Sequence, residues 1–274
     1  MTESGGTAHA AEARPTVPAV TYLPWQIFLS EMIGTGVLLL GGLSLVILMF
    51  GAGNPIAALV PSVAVRRIIN GFLFGSIGAA IALSPVGAVS GAHINPAVTL
   101  GFLLFGKLKP RVAFGYAVAQ LGGATLGCVP LLAWGDMGRS ISFAATVPGQ
   151  GYSTWTVLLG EVITTFGLVA SLCVFLSVRK LRRFTPFMIP FLYAIMVPLE
   201  ASISGTSTNP ARTLGPAIIS GNFDGWWIYW VGPFLGTVAA SLAFSFLASR
   251  IEVAKVYYFD RDRSGIFKAM SQHT

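Results

Sequence analysis

The segment SGAHINPAVTLG, residues 90–101, returns later in the chain as SGTSTNPARTLG, residues 204–215. Both copies contain an Asn-Pro-Ala triplet, Asn95-Pro96-Ala97 and Asn209-Pro210-Ala211. Proline suits the first turn of a helix, where its missing N–H would be unpaired anyway, and asparagine suits the N-cap before it. Each triplet therefore predicts the start of a helix. These helices would end near Gly106 and Gly221, so at about ten residues they would be too short to cross a bilayer.

The composition indicates a membrane protein. The chain has 274 residues, of which 54% are hydrophobic and 10% are charged, whereas soluble domains carry about 25% charged residues. The net charge is +7, but the basic residues form short clusters between apolar runs. That pattern is typical of membrane-flanking anchors and argues against a nucleic-acid partner.

Six segments have the length and apolar character expected of spanning helices. They cover residues 25–50, 68–88, 111–134, 155–178, 184–203 and 226–249. The polar residues 1–22 are expected to form a disordered N-terminal tail. We expect a membrane domain over residues 23–250 and a cytoplasmic C-terminal tail over residues 251–274.

The two halves of this domain have the same order of features. Repeat one (about 25–134) and repeat two (about 152–250) each contain a glutamate-bearing helix, a second helix, a triplet-bearing loop and a third helix. The glutamates are Glu31 and Glu161. Because three spans is an odd number, the second repeat must insert upside down relative to the first. Such inverted repeats place their functional site near the midplane of the membrane.

The short helices would then meet N-terminus to N-terminus in the middle of the membrane. Each helix N-terminus carries about half a positive elementary charge, so the pair would repel cations and protons. The amides of Asn95 and Asn209 would remain as donors for a neutral solute.

These motifs resemble the aquaporin, or major intrinsic protein, family over about residues 25–250. The resemblance rests on both triplets, on Ser90-Gly91, and on Glu31, His93, Glu161, Arg212 and Trp230-Val231-Gly232-Pro233. It implies an all-α membrane protein with six transmembrane helices and two re-entrant half-helices. It also implies a homotetramer with one passive pore per subunit for water and small neutral solutes.

The resemblance further implies a selectivity filter on the outer side of the pore. Counting from the motifs without gaps places it on Gly75, Val197, Thr206 and Arg212, with Phe74 as the alternative to Gly75. Narrow water-selective members usually have Phe and His where this count gives Gly75 and Val197. Thr213 stands where glycerol-conducting members usually have Asp. Water, glycerol, urea and metalloid acids therefore all stay open as solutes.

Glu31, Glu161 and His93 are expected to brace the re-entrant loops or to line the pore. The sequence does not indicate a role for Glu200 or for loop 135–151. Two alternatives are a secondary active transporter and a non-conducting structural membrane protein. We expect no enzymatic activity, cofactor or metal, since the chain shows no nucleophile–base arrangement and no metal-ligand spacing. The distribution of Lys and Arg between the loops predicts that both termini lie in the cytoplasm. We expect the protein to reside in the plasma (inner) membrane.

Overall fold

The computed structural model describes residues 25–251, and every regular element within this range is helical. The predicted tails lie outside the described residues, apart from Ile251. The principal helices are α1 (Trp25–Phe50), α2 (Val63–Leu83), α3 (Pro96–Leu104), α4 (Pro110–Cys128), α5 (Thr154–Ser177), α6 (Thr185–Glu200), α7 (Pro210–Ser220) and α8 (Ile228–Ala243). Short α-helices cover Ile56–Leu59, Pro85–Ser90 and Gly135–Arg139, and 3₁₀ turns cover Val129–Trp134, Ser142–Ala144, Arg182–Phe184 and Ser245–Arg250.

Six of the principal helices are spans, and α3 and α7 are the two half-helices that the triplets predict. Helices α1, α2 and α5 and the continuous stretch Pro110–Arg139 are long and apolar enough to cross a membrane by themselves. Helices α6 and α8 have only 16 residues each. A 3₁₀ turn adjoins each of them, which lengthens the helical path across the bilayer.

The second span differs from its predicted range of 68–88. Helix α2 covers Val63–Leu83, and a separate helix, Pro85–Ser90, follows it. The break lies at Ser84, whose side chain accepts a hydrogen bond from the Gly87 amide at 3.2 Å and so caps the new helix. Pro85 occupies the first turn of that helix, where proline is favoured.

Helix α6 contains Pro190 and Pro198 and packs closely against α2. Two glycines of α2 make this approach possible. A β-carbon on Gly71 would lie 2.3 Å from the Tyr193 carbonyl oxygen, and one on Gly75 would lie 2.7 Å from the Pro190 α-carbon. The backbones of these two helices are therefore in direct contact along one wall of the molecule.

Glycines also allow α1 to cross α4 and, in the second repeat, α5 to cross α8. A β-carbon on Gly127 would lie 2.3 Å from the Gly36 carbonyl oxygen, and one on Gly236 would lie 2.4 Å from the Val162 carbonyl oxygen. Small residues at such crossings let the backbones of membrane helices approach closely. The two repeats thus share their helix pairing as well as their motifs.

We expect Gly127→Ala to destabilise the protein by about 1–3 kcal/mol, because the new methyl group would overlap backbone atoms of α1. Gly122→Ala is the matched control, since a β-carbon there meets nothing within 4 Å. Thermal unfolding in detergent should show a lower midpoint for Gly127→Ala than for the control. Equal midpoints would show that the crossing is looser than the structure indicates.

Candidate pore and selectivity site

Both half-helices begin at the prolines of the triplets and are capped by the preceding asparagines. The Asn95 Oδ1 atom accepts a hydrogen bond from the Ala97 amide at 2.8 Å. The Asn209 Oδ1 atom accepts hydrogen bonds from the amides of Ala211 at 3.0 Å and Arg212 at 3.3 Å. Because their oxygens are used as caps, the two side chains present their NH₂ groups beyond the helix ends.

Each of these NH₂ groups reaches the loop of the opposite repeat. Asn95 Nδ2 donates to the Thr208 carbonyl at 2.9 Å, and Asn209 Nδ2 donates to the Ile94 carbonyl at 3.0 Å. This reciprocal pair holds the two helix N-termini next to each other in the middle of the bundle. An amide nitrogen carries two hydrogens, so each asparagine retains a second N–H beyond the cross-repeat bond.

The loops that lead into the half-helices have the same unusual backbone conformation in both repeats. A left-handed glycine comes first and is followed by two non-glycine residues with positive φ. The pairs are Gly91 (86°) with Gly205 (85°), Ala92 (50°) with Thr206 (54°), and Ile94 (42°) with Thr208 (52°). A non-glycine residue in this region costs about 1–3 kcal/mol and persists only where its surroundings hold it.

Two fully buried glutamates hold these loops. Glu31 accepts hydrogen bonds from the amides of His93 at 2.9 Å and Ile94 at 2.7 Å. Glu161 accepts hydrogen bonds from the amides of Ser207 and Thr208, both at 2.8 Å. Both side chains are 0% exposed. In each repeat, therefore, one carboxylate binds two consecutive N–H groups at the strained end of the loop.

Three further residues complete these networks, and the sequence analysis did not identify any of them. Tyr116 donates from its hydroxyl to the Ser90 carbonyl at 2.7 Å, and Tyr229 donates to the Ser204 carbonyl at 3.0 Å. Gln120 donates to Glu31 Oε2 at 2.7 Å. The sequence does hint at the two tyrosines, since each lies in the third span of its repeat.

His93 lies beside the first half-helix in an aromatic cage. Its ring stacks on Phe102 with centroids 4.4 Å apart and meets Tyr116 edge-on at 5.2 Å. Its Nδ1 atom is 3.2 Å from the Thr99 hydroxyl oxygen. His93, Asn95 and Asn209 border a cavity of about 90 Å³, which we call the histidine-side cavity.

A second cavity, of about 310 Å³, lies on the other side of the triplets, and we call it the arginine-side cavity. Val197, Thr206 and Arg212 line it, as does Phe74. Gly75 does not belong to this group. It borders the histidine-side cavity, and its α-carbon faces the α6 backbone. The structure therefore brings Phe74, rather than Gly75, together with the other three candidate filter residues.

Loop 135–151 covers the arginine-side cavity and positions its arginine. The Arg212 Nη1 atom donates to the Ala144 carbonyl at 2.7 Å. Thr146 is 2.6 Å from Thr213, hydroxyl to hydroxyl, and Thr213 is 2.7 Å from the Ser207 hydroxyl. Thr213 thus ties the loop to the second half-helix.

Glu200 lies outside the linings of both cavities. Its side chain is packed against Gly160, where an added β-carbon would be 2.7 Å from Oε1. The residue is 5% exposed, and neither carboxylate oxygen has a hydrogen-bond partner among residues 25–251. It does not bind two consecutive loop amides as Glu31 and Glu161 do.

Six spans with two half-helices that meet end to end define an integral multi-pass membrane protein with a transmembrane pore. The family model "Major intrinsic protein" matches residues 19–244, so the chain belongs to that family and is a passive channel for water and small uncharged solutes.

Curated relatives cover most of the chain. It is 33% identical over 222 residues to "Probable aquaporin TIP2-2" of Arabidopsis thaliana. The matched region covers 80% of this chain and 86% of the relative. It is 35% identical over 200 residues to "Aquaporin-6" of Rattus norvegicus. That matched region covers 72% of this chain and 71% of the relative. The fold is similar to the X-ray structure of the aquaglyceroporin from Plasmodium falciparum, with a TM-score of 0.65, 20% identity, and coverage of 81% of this chain and 95% of that one.

We expect Glu161→Gln to lower both stability and water conduction. The substitution turns one acceptor oxygen into an N–H donor that faces a backbone N–H, and an unsatisfied buried donor costs about 1–3 kcal/mol. The measurements are thermal unfolding in detergent and osmotic water permeability per reconstituted protein.

Glu200→Gln is the matched control, because it changes a buried glutamate that accepts no hydrogen bond within the described part of the chain. It should leave the unfolding midpoint unchanged or raise it. If both variants lose the same stability, the hydrogen bonds to the loop are not what makes Glu161 important.

Proposed function

We propose that the chain conducts water and small uncharged solutes past the two asparagines and excludes ions and protons. The supporting observation is the reciprocal pair of hydrogen bonds between Asn95 and Thr208 and between Asn209 and Ile94. It brings two helix N-termini together between a cavity on the His93 side and a cavity on the Arg212 side. The second N–H of each asparagine is then available to a solute that accepts hydrogen bonds.

The electrostatics of this path favour neutral solutes. Each half-helix contributes about half a positive charge at its N-terminus, and Arg212 adds a full one because a guanidinium stays protonated. Within residues 25–251, the lining of the two cavities includes Arg67 and Arg212 but no carboxylate. A cation in the path would therefore lose water of hydration without meeting a carboxylate, and the positive charges would repel it, as they would a proton.

We propose Phe74, Val197, Thr206 and Arg212 as the filter on the arginine side of the path. Arg212 would act as a fixed donor, since the loop carbonyl of Ala144 holds its guanidinium. Val197 contributes an apolar wall, so this ring combines one strong donor with hydrocarbon surface. The loop-bracing role proposed for Glu31 and Glu161 is supported by their bonds to backbone amides.

We further propose a homotetramer in the plasma membrane with both termini in the cytoplasm. The tetramer is suggested by the family resemblance. The orientation is supported by the basic residues of the loops near Lys107 and Arg182, which share one side of a six-span protein. Native mass spectrometry in detergent tests the first proposal, and labelling of single cysteines placed in these loops in intact cells tests the second.

Stopped-flow shrinkage of proteoliposomes tests the channel itself. We expect osmotic water permeability above that of empty vesicles, with no dependence on a proton gradient. Permeability equal to that of empty vesicles for water, glycerol and urea alike would refute passive conduction. Uptake that follows a proton gradient would favour a secondary transporter instead.

Arg212→Val should admit protons or small cations. Lowering the ion barrier by about 1.4 kcal/mol raises a leak about tenfold, so loss of the charge should be visible as dissipation of a pH gradient in dye-loaded vesicles.

Arg139→Val is the control, because Arg139 lies in a surface ion pair with Asp136 at 2.8 Å and does not line the arginine-side cavity. Its leak should match that of the unmodified chain. An Arg212→Val leak no larger than the control's would remove this residue from ion exclusion.

A further inference from the structure

The two cavities along the path have only two lining residues in common. Phe74 and Tyr193 border both the histidine-side cavity and the arginine-side cavity. The other lining residues named for each cavity belong to that cavity alone. The two cavities therefore adjoin at these residues, which we call the Phe74–Tyr193 pair.

The position of the pair follows from helix periodicity. Tyr193 precedes Val197 by one turn on α6, and Phe74 follows Asn70 by one turn on α2. Residues four apart on a helix share a face, and Asn70 and Val197 line the arginine-side cavity. Tyr193 thus lies one turn from Val197 towards the triplets, where it meets Phe74, the filter residue that also borders the histidine-side cavity.

Both rings are held in place. They stack with centroids 6.2 Å apart and an angle of 27° between their planes. The Tyr193 hydroxyl lies 2.7 Å from the Thr208 hydroxyl, on the residue whose carbonyl accepts from Asn95. The Phe74 ring occupies the space left by a missing side chain, since a β-carbon on Gly42 would lie 2.4 Å from Phe74 Cε2.

We infer that the Phe74–Tyr193 pair sets the size limit of the channel, so that water passes and a three-carbon polyol such as glycerol does not. The inference rests on the proposed function and adds a determinant to it. The rings offer hydrocarbon, and the one hydroxyl is engaged with Thr208. A polyol would have to shed its water there without replacement hydrogen bonds, and unpaired polar groups in apolar surroundings are costly. A single water molecule has fewer such groups and a smaller cross-section.

The test begins with the unmodified chain in proteoliposomes. Water permeability should exceed that of empty vesicles, and glycerol permeability should equal it. Tyr193→Val should then raise glycerol permeability at least about tenfold over the unmodified chain, which corresponds to a small change in barrier. Tyr193→Phe keeps the ring and should still exclude glycerol.

Phe191→Val is the control on the same helix. Phe191 also carries an aromatic ring, but it is 63% exposed on the outside of the bundle and lines neither cavity. Its water and glycerol permeabilities should match those of the unmodified chain. A glycerol increase of equal size in this control would show that the Tyr193→Val effect is a general loosening of α6.

A further variant, Phe74→Val, keeps the inference testable if Tyr193→Val does not fold. Phe74→Val should also admit glycerol, because it removes the other ring. Where Tyr193→Val does fold, adding Val197→His should lower its glycerol permeability again, since the narrow point is then rebuilt one turn away.

Three results would overturn the inference. One is glycerol conduction by the unmodified chain. Another is continued exclusion of glycerol by folded Tyr193→Val and Phe74→Val, which would place the limit elsewhere while leaving water conduction, and so the proposed function, intact. The third is the absence of water conduction in the unmodified chain and in all variants, which would refute both.

Discussion

The whole pore depends on two carboxylates that bind backbone N–H groups in the middle of the membrane. Glu31 and Glu161 each accept from two consecutive amides of a loop. A buried carboxylate is expensive unless it is hydrogen-bonded, and a non-glycine residue at positive φ is strained. Here the same hydrogen bonds offset both costs. The loop supplies the donors that the carboxylate needs, and the carboxylate holds Ile94 and Thr208 in a conformation that they would otherwise leave.

That arrangement explains how each loop accepts a hydrogen bond from the asparagine of the opposite repeat. With Ile94 and Thr208 held in position, their carbonyls are directed at the asparagines of the opposite repeat. The half-helices then cannot separate without breaking both of these bonds between the repeats. Tyr116 and Tyr229 restrain the start of each loop through the carbonyls of Ser90 and Ser204. The pore centre is therefore rigid because both ends of each loop are bound to a spanning helix.

Much of this could be predicted from the sequence, because the determining signals are local. An asparagine before a proline predicts a capped helix start, and a lone glutamate in an apolar helix predicts a buried partner. The candidate filter residue on α2 could be narrowed to Gly75 or its neighbour Phe74, but the choice between them could not be made from the sequence. Counting back from Asn95 to Gly75 assumes an unbroken register, but Ser84 and Pro85 end one helix and begin another. Tyr193 shares a helix face with Val197, but its stacking on Phe74 depends on how α2 packs against α6, which the sequence does not give.

In the pore that we propose, charge and size are selected by different groups. Charge would be selected where Arg212 and the helix N-termini lie, since these groups act on any ion regardless of its size. The size limit that we infer lies where the filter residue Phe74 stacks on Tyr193, one turn from Val197 towards the asparagines, and these two rings carry no charge. Because the Tyr193 hydroxyl is bonded to Thr208, and Thr208 is bonded to both Glu161 and Asn95, the size-determining ring is part of the same network that aligns the helix ends. A change at Tyr193 should therefore alter the width of the path while the positive charges stay in place.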